Sequence, residues 1–366
     1  LEGQEARLKG TAQRQALAEL IPERDNVHEA WQWAVVGGHA REIEQALESL
    51  YDFYDIRCWF QAGLALLAPA IDRWRLEPGQ ERLLGRLLAR QGALCNHLGI
   101  YQQAATALER SQEIFERLEM PDEQIFCLVN LANAIRHQGH NDEAKRLAER
   151  SLALSKQIGD RRGMAQSLQM IGILRYWGGD LEQTEALLEE SLALARELGD
   201  QRLIMAPLNT LGDAACHRGN YDKAQRIFEE CLALSRDLGD QFNVSIHLNN
   251  LGTVFHHLED YPKAESFYQQ SLGICRQIGD QNGEAVALSN LGEIAYTLGD
   301  YRKAAQFYQD GLTIGYAIQE PWTTMVCLNN LGEIACAQDD CIGARDSLIE
   351  ALHIAMETQT LTMATK

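Results

Sequence analysis

The chain has 366 residues, of which 46% are hydrophobic, 7% aromatic and 23% charged. Its 33 basic and 52 acidic residues give a net charge of −19, which argues against nucleic acid or an anionic membrane surface as a partner. No apolar run reaches the length of a membrane span, no secretory leader is visible, and nine scattered cysteines without a CxxC pair suit free, buried thiols in a reducing compartment. The expected location is therefore cytoplasmic, and the start at Leu1 instead of Met is what a piece of a longer protein would show.

Residues 1–80 hold four of the six tryptophans, namely Trp31, Trp33, Trp59 and Trp74. Asp25 is placed to cap a helix through Val27, Ala30, Trp31 and Ala34 that ends at Gly37-Gly38. A second helix is expected from Ala40 to Tyr54 and a third from Ile56 to Trp74, with a break at Glu77-Pro78-Gly79. This stretch reads as a helical cap for the array that follows. In an alternative reading, its aromatic run Tyr51, Phe53, Tyr54, Trp59 and Phe60 lines a ligand pocket.

From residue 81 the chain repeats itself. Gly-Asp falls at 159–160, 199–200, 239–240 and 279–280, and a second series (Gly179-Asp180, Gly219-Asn220, Glu259-Asp260, Gly299-Asp300, Asp339-Asp340) lies halfway between. Leu-Gly recurs at 211–212, 251–252, 291–292 and 331–332, and alanine at Ala104, Ala144, Ala224, Ala264, Ala304 and Ala344. Seven repeats of forty residues follow, spanning 81–360, with a tail at 361–366. Glycine ends one helix in the left-handed conformation and Asp or Asn caps the next. Each repeat is thus two antiparallel helices, A and B, of about 17 residues. Pro121, Pro262 and Pro321 sit where a first-turn proline is tolerated, whereas Pro207 is expected to bend or delay its helix. Gly252 and its equivalents lie inside helix A, at about 1 kcal/mol each relative to Ala. Close packing of A on B, with Ala264 as the other small residue, gives the reason.

The residues Asn250-Leu251-Gly252, Phe255, Tyr261, Ala264 and Tyr268, repeated from 81 to 360, resemble the tetratricopeptide repeat in a long, forty-residue form. That resemblance implies an all-α, right-handed superhelical solenoid of antiparallel helix pairs. Such long repeats are similar to those of kinesin light chains, Pins-type scaffolds and bacterial signalling proteins. The segment Asp25-Asn26-Val27-His28-Glu29-Ala30-Trp31-Gln32-Trp33-Ala34, with Gly37-Gly38-His39 and Leu50-Tyr51-Asp52-Phe53-Tyr54, further resembles the start of the sensor arm of STAND signal-transduction ATPases of the maltose-regulator type. There the arm receives an inducer, peptide or protein and controls oligomerisation. No GxxxxGK[ST] phosphate loop occurs in this chain.

No GxSxG, HExxH or Gly-rich dinucleotide loop is present, so neither an enzyme nor a bound cofactor is expected. His97, His137, His217 and His257 share one repeat position. Repeats about 10 Å apart cannot bring them to one zinc ion, whose ligands sit at about 2.0–2.1 Å. They read as polar ends of helix A, or as ligand contacts. Asn130, Asn250, Asn290 and Asn330 precede the Leu-Gly position or its equivalent, with Asn249 and Asn329 just before and Asn209 in phase. A ladder of amides that both donate and accept suits the backbone of an extended peptide. It suits interhelical bracing equally. Asp213, Glu293 and Glu333, followed by Tyr176, Cys216, His256, Tyr296 and Cys336 at a neighbouring position, vary on the regular frame, where specificity would be written. The expected function is non-catalytic recognition of a protein or peptide on the concave face, through Asn130, Asn209, Asn249, Asn250, Asn290, Asn329, Asn330, Glu293, Glu333, His217 and His257. A sensing arm of a STAND-type regulator is the first form of this, and a free-standing scaffold the alternative. Self-association through the solenoid ends is also expected, since the last repeat is followed by no charged capping helix.

Overall fold

The computed structural model describes residues 4–10, 12–75, 77, 79–318 and 321–357. The expected break at Pro78 and the tail from 361 lie in part or wholly outside them. Among the described residues all regular structure is helical, and consecutive helices pack in antiparallel pairs. They fall into two compact units, one up to Arg218 with Asp237–Asp240, the other Gly219–Arg236 with the chain from Gln241 on.

The first unit opens with α1 (Glu5–Leu8), α2 (Gln13–Leu20) and a 3-10 turn at Ile21–Glu23, which the sequence pattern did not disclose. Then come α3 (Arg24–Gly37), α4 (Ala40–Ile56) and α5 (Phe60–Trp74). Asp25 does not cap α3: Glu23 holds that position, without a side-chain bond, and Asp25 lies in the first turn. The third helix starts at Phe60, not Ile56, because Cys58 takes a left-handed conformation at φ 55° and turns the chain. Helix pairs follow as α6 (Glu81–His97) with α7 (Tyr101–Arg117), α8 (Pro121–His137) with α9 (Asn141–Ile158), and α10 (Arg161–Trp177) with α11 (Leu181–Leu198); α12 (Gln201–His217) is the last A helix of this unit. In α12 the chain stays helical through Pro207.

The second unit contains α13 (Tyr221–Leu238) up to Arg236, then α14 (Gln241–His257), α15 (Tyr261–Ile278), α16 (Gln281–Thr297), α17 (Tyr301–Ile318), α18 (Pro321–Ala337) and α19 (Cys341–Glu357). From α10 on, side-chain capping recurs, whereas α6 to α9 start at Gln80, Ile100, Met120 and His140 without a side-chain cap bond. Asp160, Asp180, Asp200, Asp260 and Asp280 accept backbone N–H bonds from the first turns they precede, as do Asn220, Asp300 and Asp340. Gly159, Gly199 and Gly279 end their helices with positive φ.

Within a repeat, A and B meet where the glycine is. A Cβ on Gly252 would lie 2.5 Å from Tyr268 Cε1, on Gly292 2.8 Å from Tyr308 Cε1, and on Gly172 2.7 Å from Leu188 Cδ2. A large B-helix side chain is thus seated in the notch, and at Gly92 and Gly332 the carbonyl of the small alanine, Ala104 or Ala344, lies beside it, 3.1 and 3.5 Å from an added Cβ. Serines brace the same joint: the Ser111, Ser191 and Ser271 hydroxyls donate to the carbonyls of Gly85, Ala165 and Ser245 of the facing A helix.

The cap is welded to the first repeats by buried charge. Arg90 is 4% exposed and bonds both Glu48 and Glu123. Lys9 Nζ lies 2.6 Å from Glu48 Oε1, and Arg86 Nε 2.7 Å from Glu123 Oε1. Such charges are tolerated because each is paired on several sides. The cap also reaches further along the array. Asp55 pairs with Arg202 and receives His97 Nε2 at 2.9 Å. Arg57 donates to the Gly239 carbonyl, the Cys58 thiol donates to Asp240 Oδ1 at 3.2 Å, and Arg162 donates to the Lys9 carbonyl. Burial acts to raise the Asp55 carboxyl, but Arg202 and His97 outweigh it and hold it at about 2.

None of the nine cysteines forms a disulfide. Most are buried, as expected of small apolar side chains; Cys336 and Cys341 are exposed.

Candidate ligand-binding face of the A helices

Within each unit, the A helices pack on B helices and on neighbouring A helices, which leaves one stripe of each at least half-exposed. In α8 it runs through Phe126, Asn130, Asn133 and Arg136, in α10 through Gln169, Ile173 and Tyr176, and in α12 through Asn209, Asp213 and Cys216. In the second unit it holds Asn249, Asn250, Thr253 and His256 on α14, Asn290, Glu293 and Tyr296 on α16, and Asn329, Asn330, Glu333 and Cys336 on α18. The spacing of three or four residues is the helical period.

The amides on this stripe are already bonded. Asn290 Nδ2 donates to Asn249 Oδ1 at 2.8 Å, from one A helix to the next. Asn130 Nδ2 donates to the Phe126 carbonyl of its own helix, and its own carbonyl accepts from Asn96. Asn329 Nδ2 donates to Glu333 Oε1 at 3.2 Å. Asn209 and Asn250 are not free either. Glu293 is exposed. Asn330 is half-exposed at its place beside Leu331.

The histidines sit on aromatic partners that the sequence pattern did not pair with them. His97 stacks on Phe60 with centroids 4.5 Å apart, His137 on Tyr101 at 4.2 Å, and His257 on Tyr221 at 5.1 Å. In each case the last residue of an A helix meets the first residue of the preceding B helix. His217 breaks this pattern: position 181 is leucine, and its Nε2 lies 2.9 Å from the Tyr176 hydroxyl instead. An offset of 36 residues for His137 and His257, and of 37 for His97, was the available signal. Among the described residues no cluster of His, Cys, Asp and Glu is arranged for a metal ion, and no helix is long and apolar enough to cross a membrane.

Two charges on the stripe stand apart. Arg136 bonds Asn133 Oδ1 at 3.1 Å and His137 Nε2 at 2.6 Å, and among the described residues no carboxylate is within ion-pair distance of it. Burial pulls its guanidinium below the ordinary arginine range. Asp213 has neither hydrogen bond nor ion pair among the described residues, and burial lifts its carboxyl to about 7. Burial first, then Asp213, also raises the neighbouring Tyr176 phenol.

The aromatic run of the cap is packed into its core. Phe53, Tyr54 and Phe60 are 2%, 5% and 7% exposed, and Trp59 meets Phe53 and Tyr54 edge-on inside the cap core. A shallow apolar groove of about 410 Å³ lies instead between α3 and α4, against Val27, Trp31 and Ile43.

Tetratricopeptide-repeat family models match residues 83–157, 124–197, 163–237, 243–315 and 324–356, and the chain belongs to that family. No curated protein matches it. Among solved structures, it is similar to the apo form of the quorum sensor NprR from B. thuringiensis, with a TM-score of 0.65 and 14% identity over 91% of this chain and 99% of that one. NprR in complex with its cognate peptide NprX gives a TM-score of 0.57 and 14% identity over 81% and 88%. A STAND protein with a tetratricopeptide repeat sensor, from Pyrococcus horikoshii, gives 0.63 and 15% over 98% of this chain and 54% of the other, so the chain spans about half of that protein. At these identities the likeness concerns the fold.

Proposed function

We propose that the chain is a non-catalytic recognition module that holds a peptide or protein segment along the stripe of its A helices, on the concave side, as the sensing arm of a STAND-type regulator. The observation that carries this is the repetition of asparagine on the half-exposed stripe of successive A helices, with Asn249 and Asn290 bonded to one another across them. Such a ladder presents donors and acceptors at helix spacing, and one exchange of partner lets it bond an extended backbone. The peptide held by NprR and the likeness of nearly all of this chain to about half of the Pyrococcus STAND protein support the same reading. The test is affinity capture from the source organism with this chain as bait, against a bait carrying Asn250→Ala and Asn290→Ala. A partner retained by the first and lost from the second, at unchanged helicity, is the expected result. Equal capture by both baits would remove the amides from the binding face, and unfolding of the double variant would make them structural.

A second reading, assembly through the end of the array, is favoured by α19. Leu192, Leu232, Leu272 and Leu312 occupy one position of successive B helices and are 6–8% exposed, whereas Leu352, at the same position of α19, is 51% exposed. Leu348, Ile349 and Met356 are exposed beside it.

A further inference from the structure

The stripe of the first unit carries two opposite charges that the protein does not satisfy. Arg136 and Asp213 lie on α8 and α12, with α10 between them in contact with both. In a chain with 19 more acidic than basic residues, an arginine without a carboxylate is not explained by composition. An aspartate without a cation, placed where burial disfavours its charge, costs stability and returns nothing to the fold. Arg136 stands at a register position that the other repeats give to Asn96, Tyr176, Cys216, His256, Tyr296 and Cys336, so its charge does not belong to the repeat pattern. Asp213 shares its position with the acids Glu293 and Glu333 but is the one acid there within the first unit, where Asn133 and Ile173 take its place. They cannot pair with each other, because two helix-to-helix steps of about 10 Å each separate them.

We propose that the stripe from Arg136 across Gln169, Ile173 and Tyr176 to Asp213 is a binding track for a short extended segment with a carboxylate at its Arg136 end and an amine or guanidinium at its Asp213 end. This rests on the peptide-binding reading above and gives it polarity and length. A gap of about 20 Å is spanned by roughly six extended residues at 3.3 Å each. Arg136 presents a planar fork suited to a carboxylate, and Asp213 offers acceptors alone when ionised. Between them the half-exposed Ile173 and the Tyr176 ring give an apolar floor, flanked by Trp177, which is exposed and edge-on to Tyr176. A capped or uniformly charged segment leaves one of the two buried charges unmet.

The probe is a hexapeptide pool whose interior positions are randomised among uncharged residues, made with both ends free, with the amino end acetylated, or with the carboxyl end amidated. The immobilised chain should retain the free pool, and acetylation should lower the retained fraction at least fivefold. Asp213→Asn should lower retention of the free pool equally and make it indifferent to acetylation. Arg136→Gln should do the same for amidation, with helicity checked by circular dichroism. Asp213→Asn keeps size and shape, so it decides the matter even if the arginine variant fails to fold. Retention that ignores both capping and Asp213→Asn, yet falls with Asn249→Ala and Asn290→Ala, overturns the track and leaves the peptide-binding reading standing. No retention of any pool overturns both.

Discussion

The Tyr268 ring stands where a side chain on Gly252 would begin, 2.5 Å from the place of its Cβ. The glycine is therefore a socket for a ring carried sixteen residues later, and its helical cost is offset by that contact. Gly252→Leu should destabilise the second unit by about 1–3 kcal/mol through overpacking. Gly273, exposed on α15 with nothing within 4 Å of an added Cβ, is the control. Gly273→Ala should stabilise by about 0.5–1 kcal/mol. Urea midpoints of both variants check this, and an unchanged midpoint for Gly252→Leu would refute the close joint.

Asp213 makes a prediction about pH. Its folded-state carboxyl is raised by burial to about 7, above the unfolded value near 3.8. A raised acid contributes stability at low pH that is lost as pH climbs through the folded value. Asp213→Asn should therefore be nearly neutral at pH 3, below the unfolded value, and stabilising by about 1–2 kcal/mol at pH 8, above the folded one. Thermal melts at the two pH values measure the difference, and a gain of equal size at both would show that charge is not the cause. A stabilising variant that binds less is the pattern expected where a residue is kept for function.

His137 has the opposite sign. Burial first, then the Arg136 charge beside it, holds its imidazole down at about 4. Its contribution is whole above pH 6.5 and disappears as pH falls towards 4. The outer edge of the ring is exposed, so screening keeps the loss below about 1 kcal/mol. His137→Phe keeps an aromatic face for Tyr101 and should flatten the melting temperature between pH 6.5 and 4. A slope as steep as the parent's would assign the acid sensitivity elsewhere.

The end of α19 can be tested directly. If the face around Leu352 mediates assembly, light scattering should show mass rising with concentration, and Leu352→Glu together with Leu348→Glu should return the chain to a monomer. A parent chain that stays monomeric over the whole concentration range would dismiss the end face.

The forty-residue period, the Gly-Asp punctuation and the Leu-Gly notch were legible in the sequence because backbone chemistry fixes them: a left-handed turn, a cap, a close helix approach. What those positions touch was less legible. Gly252 meets the Tyr268 ring first, since a notch in one helix accepts whichever side chain of the facing helix is in register. The start of α5 slipped to Phe60 because a non-glycine residue, Cys58, takes positive φ, which no composition rule announces. The amide ladder was visible as a pattern, but the bond from Asn290 to Asn249 depends on the offset between neighbouring A helices. Arg136 passed unnoticed because isolation is a property of surroundings, which a linear chain does not display.

The pairing of Asp55 with Arg202 spans 147 residues, and the bonds from Arg57 to Gly239, Cys58 to Asp240 and Arg162 to Lys9 span as many or more. A linear array of repeats ordinarily frays from its ends, one repeat at a time. Here the last turn of α4 grips both His97, in the first repeat, and the turn that opens α12. The stretch between them is thus held as a closed ring, and it cannot peel open at its first repeat without also releasing its fourth. Its amide hydrogens should then exchange as one block, with a shared opening rate instead of a gradient along the chain.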